Sequence, residues 1–395
     1  MRCIQDHHPG DKTKGDFSLY YFLIRENSSM KKVLKQVLGI DVAQKELVVC
    51  LGKMYDDTGT ELCAHKTFAN KAVGFTSMLA WVKKLTDSGV AVSFVMEATG
   101  VYHESLAYFL KDQGMVVSIV LPNKISAYAR SLKTKTVTDK TASEAIMQFG
   151  LERKLDEWQK PLPIYKQMKQ LSRERSQTIE ERTMVKNQLH AEEAEAEPNA
   201  SSLARIKRRI AILVEQENEI TKEIASLVAK DREIKLLVAL LCTIPGIGKL
   251  TAAIVLAETN GFDLIRNKRQ LTSYAGLDVQ EKQSGTSIKG KPRISKKGNR
   301  FLRKAMHMPA LAAIRHDEKF NGIFARLVGR HGIKMKAAVA IQRKLLEMMY
   351  TLYKTNKKYD KDYYKSEEEK QYEKVAAKNR SNTKAAPKQA DTKTA

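Results

Sequence analysis

Apolar residues in the first part of the chain alternate between a strand-like and a helix-like pattern. Residues 37–40 and 47–51 are apolar and β-branched and flank a polar turn, which predicts a hairpin. The spacing within residues 74–85 predicts a helix. Residues 90–96 are almost continuously apolar, as in a strand buried on both faces of a parallel or mixed sheet.

The same alternation continues to about residue 158. We expect a helix over 103–113, a strand over 116–121 and a further helix over 142–149. Strands and helices in this order predict an α/β layered domain over residues 35–160.

Pro161 and Pro163 mark a boundary, and a heptad pattern follows. It is carried by Leu203, Ile206, Ile210, Leu213, Ile220, Ile224 and Leu227. This spacing predicts a coiled coil over 161–235, either as an antiparallel hairpin with residues 165–192 or as a dimer interface. An amphipathic helix lying on its own domain is the alternative.

Residues 236–356 are expected to form a mostly helical third unit. The stretch Ile244-Pro245-Gly246-Ile247-Gly248 resembles a helix-hairpin-helix turn that faces phosphate, although a tight corner between two helices needs the same glycines. Residues 357–395 are rich in Lys and Glu, which predicts a basic disordered tail. Residues 1–34 are expected to be a non-native or disordered extension.

Charge indicates the kind of partner. Lys and Arg number 69 against 45 Asp and Glu, a net charge of +24, which favours a polyanion; a basic surface and tail without a nucleic-acid partner is the alternative. The four cysteines are scattered, which argues against disulfides and structural zinc and for a reducing compartment. No apolar run reaches the ~20 residues of a membrane helix, so no membrane partner is expected.

Three acids could hold a divalent metal. Asp41 and Glu97 fall at or just beyond the C-terminal ends of predicted strands, where α/β sheets place their sites, and Asp139 follows later. Such carboxylates suit Mg²⁺ and an in-line displacement at phosphorus. Each acid taken alone also fits a helix cap or a surface position.

A serine lies in a strongly basic stretch. Residues 282–316 contain no Asp or Glu, and Ser284 lies near the beginning of this stretch. Eight cations follow it: Lys289, Lys291, Arg293, Lys296, Lys297, Arg300, Arg303 and Lys304. Ser284 could act as a nucleophile assisted by these cations, or Ser284-Gly285 could be a hairpin turn within a surface that only binds phosphate.

Seven motifs, in this order, resemble the DEDD-type insertion-sequence transposases related to the Piv site-specific invertases, also described as bridge-RNA-guided recombinases. The resemblance covers residues 35–355. The motifs are Gly39-Ile40-Asp41-Val42-Ala43, Met96-Glu97-Ala98-Thr99-Gly100-Val101-Tyr102, Thr138-Asp139-Lys140, Ile244-Pro245-Gly246-Ile247-Gly248, Ser273-Tyr274-Ala275-Gly276-Leu277, Gln283-Ser284-Gly285 and Ile294-Ser295-Lys296-Lys297-Gly298-Asn299.

The resemblance implies a RuvC-like domain with the RNase H fold, then a coiled coil, then a C-terminal transposase domain. It implies that Asp41, Glu97 and Asp139 bind Mg²⁺ or Mn²⁺ and that Ser284 forms a covalent link to DNA. The implied partners are double-stranded DNA of the element ends and target, a structured guide RNA, and further copies of the chain as a dimer or a tetramer on DNA. The implied location is the bacterial cytoplasm, at the nucleoid.

One position departs from the family pattern T-D-x-x-D-A. The fourth acid is replaced by Ala142, whereas Glu144 lies two residues further on. Glu144 could substitute if the helix start shifted, since two residues turn a helix by roughly 200°. Alternatively three acids suffice, or this copy is inactive.

The sequence therefore favours a transposase that recombines DNA through a serine link. Two other hypotheses stay open. The first is a junction nuclease that uses metal-bound water without a covalent step, and the second is a degenerate copy that only binds nucleic acid.

Overall fold

The computed structural model describes residues 32–57, 59–98, 100–132, 136, 138–281, 283–284, 288–290 and 292–360. The chain divides between Lys160 and Pro161 into two compact units. Among the described residues, no helix is both long enough and apolar enough to cross a bilayer. Residues 1–31 of the expected N-terminal extension and residues 361–395 of the expected tail lie outside this description. Residues 33 and 34, which were expected to belong to the extension, are already part of the first strand.

The first unit is a five-stranded sheet with helices on both faces. Its strands are β1 (Val33–Val42), β2 (Glu46–Tyr55), β3 (Thr60–Ala69), β4 (Val92–Glu97) and β5 (Val116–Val120). Its helices are α1 (Ala72–Leu85), α2 (Glu104–Asp112), α3 (Pro122–Ala129) and α4 (Asp139–Glu152).

The strand order across this sheet is β3-β2-β1-β4-β5. Strand β2 is antiparallel to β1 and β3, whereas β4 is parallel to β1 and β5 is parallel to β4. Helices α1 and α2 pack on one face, and α3 and α4 pack on the other. This is the topology of the RNase H-like fold, so the fold class expected for the N-terminal domain is confirmed.

The predicted strands and helices of this unit are confirmed, with ends shifted by up to four residues. Two elements were not predicted. Strand β3 lies at the sheet edge and its side chains are mostly exposed or half-buried, so it lacks an apolar run. Helix α3 has only one buried side chain, Ile125, which is too little for a periodic pattern.

Strand β1 holds helix α4 in place at two points. A Cβ on Gly39 would overlap the backbone of α4, meeting Met147 N and Ser143 O well inside van der Waals contact. The Lys35 ammonium donates to Gly150 O, to Leu151 O at 3.2 Å and to Arg153 O at 2.9 Å. A cation there satisfies carbonyls that the helix end leaves without partners, so α4 is fixed both along its middle and at its C-terminus.

The second unit is mostly helical. Its helices are α5 (Pro163–Glu193), α6 (Ala200–Lys230), α7 (Arg232–Leu241), α8 (Lys249–Thr259), α9 (Lys268–Ala275), α10 (Arg300–Ala305), α11 (His307–His316), α12 (Glu318–His331) and α13 (Lys334–Thr355). Its short strands are β6 (Val279–Gln280), β7 (Gln283–Ser284), β8 (Ile288–Lys289) and β9 (Arg293–Ile294).

Helices α5 and α6 are both 31 residues long and pack against each other as an antiparallel hairpin. Far from its base the hairpin encloses a small core of Val185, Ile206 and Leu213. At its base, Met168 and Ile224 join the core of the C-terminal helices. The expected pairing within one chain is therefore present, whereas coiled-coil geometry and contact with a second chain stay predictions.

The turn at residues 244–248 is a tight corner between α7 and α8. Gly246 has a φ of 83°, and a Cβ there would overlap Pro309 O and lie 2.8 Å from Ala313 N on α11. Gly246 is therefore required for packing between helices. Gly248, the N-cap of α8, is exposed, so binding of phosphate at this end stays a prediction.

We expect Gly39→Ala to destabilise the first unit by about 1–3 kcal/mol, because overpacking against backbone atoms cannot be relieved by a rotamer change. The matched control is Gly89→Ala, since a Cβ on Gly89 meets nothing within 4 Å. Urea unfolding followed by tryptophan fluorescence isolates this unit, because both tryptophans, Trp81 and Trp158, lie in it. Equal midpoints for the two variants would contradict the prediction.

Candidate active site

Helix α4 begins at Asp139 because Thr138 caps it. The Thr138 hydroxyl accepts from Thr141 N at 3.2 Å, and the Thr141 hydroxyl accepts from Thr138 N at 2.9 Å. This reciprocal capping box satisfies two backbone donors. Asp139 is thereby placed in the first turn, where the positive end of the helix dipole favours a carboxylate. The sequence pattern had predicted the helix only from residue 142.

Asp41 and Glu97 end two neighbouring parallel strands. The last paired residues of β1 and β4 are Ile40 and Met96, so the two acids occupy the next position along both strands. Side chains alternate along a strand, and Val95 packs with α4. Glu97 therefore lies on the α4 face, as does Asp41, two residues beyond Gly39.

Burial and the charges of Asp139 and Glu97 act on Asp41. Asp41 is half-buried, and burial raises the pKa of its carboxyl from 3.8 to about 6, with further contributions from Asp139 and then Glu97. A hydrogen bond from Val42 N opposes this rise. Residues that are 42 to 98 positions apart in the sequence therefore lie close enough at the carboxyl edge of the sheet for their charges to interact.

The donor chemistry of this edge fits a hard divalent cation. Carboxylate oxygens are the ligands that Mg²⁺ takes from proteins. Burial is the main cause of the raised pKa of Asp41, and the charges of Asp139 and Glu97, which a cation would offset, add to it. Within the part of the chain that the structure describes, no three His, Cys, Asp or Glu side chains are already arranged as a complete ligand set. The three acids lie near one another but do not form a closed coordination sphere.

Glu144 has a different environment. Its Oε1 lies 2.9 Å from Nε2 of His65 on β3. The separation is that of an ion pair, but its angles fall outside those of a hydrogen bond, so we treat it as an electrostatic contact. Because α4 begins at Asp139, Ala142 and Glu144 lie two residues apart in the same helix and point to different sides of it. A catalytic role of Glu144 stays a prediction.

Ser284 lies on a β-arm, which we define as residues 279–294. At its base, Val279 pairs with Ile294 and Gln280 with Arg293. Further out, Ser284 pairs with Ile288 across the β7–β8 ladder, next to residues 285–287, which lie outside the description. The backbone of Ser284 is thus at the outer end of a short antiparallel ladder.

The predicted phosphate-binding cations fall into three groups. Lys291 and the side chain of Lys289 lie outside the description. Arg293, Lys296, Lys297 and Arg300 form a second group, and all four side chains are exposed. The last two have protein partners: Arg303 Nη1 donates to Ala275 O at 2.8 Å and Gly298 O at 3.1 Å, and Lys304 lies 2.8 Å from Glu180 Oε1.

One buried acid near the arm was not among the predicted site residues. Glu258 on α8 has no solvent exposure and binds Arg173 and Asn299. The sequence contained one indication of it, because Glu258 is a single charge directly after the apolar run over residues 252–257. A charge in such a position is rarely buried without a partner, so a partner could have been expected.

Two transposase families match this chain. Residues 38–192 match a family described as "Transposase", of the DEDD type of IS110. Residues 238–324 match the "Transposase IS116/IS110/IS902 family". Together they cover more than half of the chain, with the three acids inside the first match and the β-arm inside the second.

Curated relatives agree with these matches. The chain is 28% identical to the pilin gene-inverting protein of Moraxella lacunata over 332 residues, which cover 83% of this chain and 98% of that protein. It is 30% identical over 112 residues to the insertion element IS110 uncharacterized 43.6 kDa protein of Streptomyces coelicolor, covering 28% of this chain and 27% of that one. Among solved structures, T. thermophilus RuvC in complex with a Holliday junction covers 31% of this chain and 99% of its own at 9% identity, with a TM-score of only 0.25.

We expect Asp41→Asn to stabilise the metal-free protein above about pH 6. A carboxyl whose folded pKa is raised from 3.8 to about 6 favours folding below pH 3.8, and this contribution is lost as the pH rises through 6. The amide does not ionise, so the variant should melt a few degrees higher than wild type at pH 8 (about 2–4 °C) and at the same temperature near pH 3.5.

Thermal unfolding in EDTA between pH 3.5 and 8 measures this difference. Asp56→Asn, which removes an exposed carboxylate, controls for the loss of one surface charge. Adding Mg²⁺ at pH 8 should raise the melting temperature of wild type more than that of Asp41→Asn, because a ligand of the folded state stabilises it. A pH-independent difference between wild type and Asp41→Asn would contradict the electrostatic assignment.

Proposed function

This chain belongs to the IS110-type transposase family, and we propose that it cuts and rejoins the DNA of its own insertion element through a covalent link to Ser284. The observation that supports the proposal is the grouping of Asp41, Glu97 and Asp139 at one sheet edge, where burial and then the charges of Asp139 and Glu97 raise the pKa of Asp41. Perturbed carboxyl groups grouped at the end of a sheet are a signature of a reactive site.

The three acids would hold Mg²⁺ or Mn²⁺. Such an ion, when bound, polarises a phosphate and offsets the negative charge that develops on its oxygens. Asp139 is set in the first turn of α4 by Thr138, and Asp41 is set by β1. The same strand and helix are pressed together at Gly39, so the chain itself fixes the spacing of these two carboxylates.

Ser284 would supply the nucleophile. Its hydroxyl oxygen attacks phosphorus and forms a serine–phosphate bond, while the bond from phosphorus to the 3′ oxygen breaks. The hydroxyl proton leaves the serine, and the released 3′ oxygen takes up a proton. No water is consumed, so attack by another 3′-hydroxyl reverses the step and joins a new partner.

The exposed cations around the arm would hold the DNA backbone. Arg293, Lys296, Lys297 and Arg300 can each contact phosphate, which positions a duplex without reading its sequence. Sequence selection would therefore need another element. We assign it to a structured guide RNA, consistent with the family and with a net charge of +24.

A second copy of the chain would complete the assembly. The helical hairpin presents apolar side chains to solvent, including Met184 and Ile212, which are 52% and 54% exposed. These side chains are available to a second hairpin in a dimer, or in a tetramer on DNA.

We further propose that three acids suffice in this protein. Ala142 cannot bind a metal, and Glu144 faces His65 at 2.9 Å. Under this proposal Glu144 contributes to the packing of α4 on β3, and the metal takes its remaining ligands from phosphate and water, as Mg²⁺ commonly does.

The first test is the formation of a covalent protein–DNA adduct. Purified protein, transcribed RNA from the flanking element, labelled donor and target DNA and Mg²⁺ are combined, and the products are run on a denaturing gel with and without protease. Wild type should give a slow, protease-sensitive band, and Ser284→Ala should give none while it binds DNA normally. Ser287→Ala is the matched control, since it removes a second hydroxyl from the same stretch.

Other outcomes point to the other hypotheses. Free cleaved ends from both wild type and Ser284→Ala would favour a nuclease that uses water. Tight binding without cleavage by any protein would favour an inactive copy, which Ala142 would explain.

A second test compares the contributions of Asp139 and Glu144 to strand cleavage. Asp139→Asn should lower the rate of strand cleavage by on the order of 100-fold or more, because it removes a proposed metal ligand. Glu144→Gln keeps the size of the side chain and should change that rate by less than about threefold, a loss of RT ln 3 at most. Cleavage rates at saturating Mg²⁺ distinguish the two, and an equal loss in both variants would restore Glu144 as the fourth acid.

A further inference from the structure

A carboxylate lies buried beneath the β-arm. Glu258 accepts from Arg173 Nε at 2.9 Å and Nη2 at 3.1 Å, and from Asn299 Nδ2 at 2.6 Å. Arg173 comes from α5, and its guanidinium also lies over the ring of Phe301, 4.7 Å from the centroid. Glu258 therefore joins the helical hairpin to the segment that follows the arm.

Asn299 has two separable roles. Its Oδ1 accepts from Phe301 N and Leu302 N, both at 3.0 Å, and caps α10. Its Nδ2 donates to Glu258, and its backbone N donates to Tyr274 O at 2.7 Å. The cap requires only an oxygen acceptor, whereas the link to Glu258 requires the amide donor.

Polar ties join the two ends of the arm. Ser295 N donates to Asp278 O at 2.9 Å, and its hydroxyl donates to Asp278 Oδ1 at 2.6 Å. Lys296 N donates to Gly276 O at 3.1 Å. A Cβ on Gly298 would lie 2.5 Å from Tyr274 O, so the returning segment runs directly against the end of α9.

Tyr274 closes the network on the other side. Its hydroxyl donates to the backbone oxygen of Glu258 at 2.9 Å, while its own backbone oxygen accepts from Asn299 N. Both segments that flank the arm are thus tied to the same residue on α8. A buried ion pair adds little net stability compared with apolar packing, whereas its directional hydrogen bonds fix geometry.

We propose that Glu258 is a positioning residue, which fixes the base of the β-arm against α5 and thereby sets the placement of Ser284. This inference rests on the proposed role of Ser284 as the nucleophile. Glu258 acts through Arg173 and Asn299 and does not touch DNA. Without its charge the arm keeps its ladder but loses a fixed orientation toward the helical hairpin.

The chain offers a matched control for loss of an ion pair on α5. Glu217 binds Arg175 Nη2 at 2.6 Å and also contacts Arg182, both from α5. It is largely buried and ties α6 to α5, but it makes no contact with the arm among the described residues. Glu217→Gln therefore tests whether weakening the hairpin is by itself enough to disorder the arm and slow adduct formation.

The experiment compares Glu258→Gln and Asn299→Ser with Glu217→Gln in the full chain. Serine retains the oxygen that caps α10 and lacks the donor that reaches Glu258. Hydrogen exchange over residues 276–299 in DNA-free protein measures the arm directly. The single-turnover rate of adduct formation at saturating DNA, with the Kd for DNA measured separately, gives the effect on chemistry.

We expect faster exchange over residues 276–299 in Glu258→Gln and Asn299→Ser, and wild-type exchange there in Glu217→Gln. Adduct formation should slow on the order of 10- to 100-fold in the first two variants, as expected for a displaced reacting group, with the Kd for DNA within about twofold of wild type, a change of about RT ln 2.

Two results would overturn the inference. One is wild-type exchange over the arm in Glu258→Gln, and the other is an equal slowing of adduct formation in Glu217→Gln. Failure of the proposed function would give a different result. Adduct formation that persists in Ser284→Ala would show that Ser284 is not the nucleophile. The exchange data would still report whether Glu258 orders the arm.

Discussion

The relative placement of Asp41 and Asp139 depends on the contact between β1 and α4. Strand β1 carries Asp41 near its end, presses Gly39 against the backbone of α4, and caps the C-terminus of that helix with Lys35. Burial lowers the pKa of Lys35, and its ammonium still has three carbonyl partners. One strand thus carries one acid and fixes the helix that carries another. The absence of a side chain at Gly39 allows this approach.

The sheet and its acids could be predicted to a large extent from the sequence, because buried strands leave an unmistakable apolar pattern. Strand β3 could not, since an edge strand with exposed side chains has no such pattern. The start of α4 was not predicted because it is fixed by hydrogen bonds between Thr138 and Thr141, which form a capping box. The spacing of apolar residues does not reveal such bonds. The environment of Glu144 could not be predicted, because its neighbour His65 is 79 positions away in the sequence and lies on β3, on the far side of β2.

The second unit shows the same limit more strongly. The heptad pattern predicted the helical hairpin, and the basic stretch identified the region of Ser284. The network beneath the arm joins residues from α5, α8, α9 and α10, and each of them is unremarkable in its own segment. Arg303 illustrates the difficulty. In the sequence it is one of eight cations, whereas in the structure its guanidinium binds two backbone carbonyls.

The burial of Glu258 also affects how the arm meets DNA. Its negative charge is enclosed and balanced by Arg173, and Asp278 is engaged by Ser295. Two of the acids near the arm's base are therefore held in internal hydrogen bonds, whereas Glu281, on the arm itself, is exposed. Under the proposed function, the exposed cations around the arm outnumber its exposed acid and attract phosphate. Capture of a strand would then be fast, and its rate would fall steeply with ionic strength. Such a surface binds every DNA sequence equally well, so rapid binding does not select a target site.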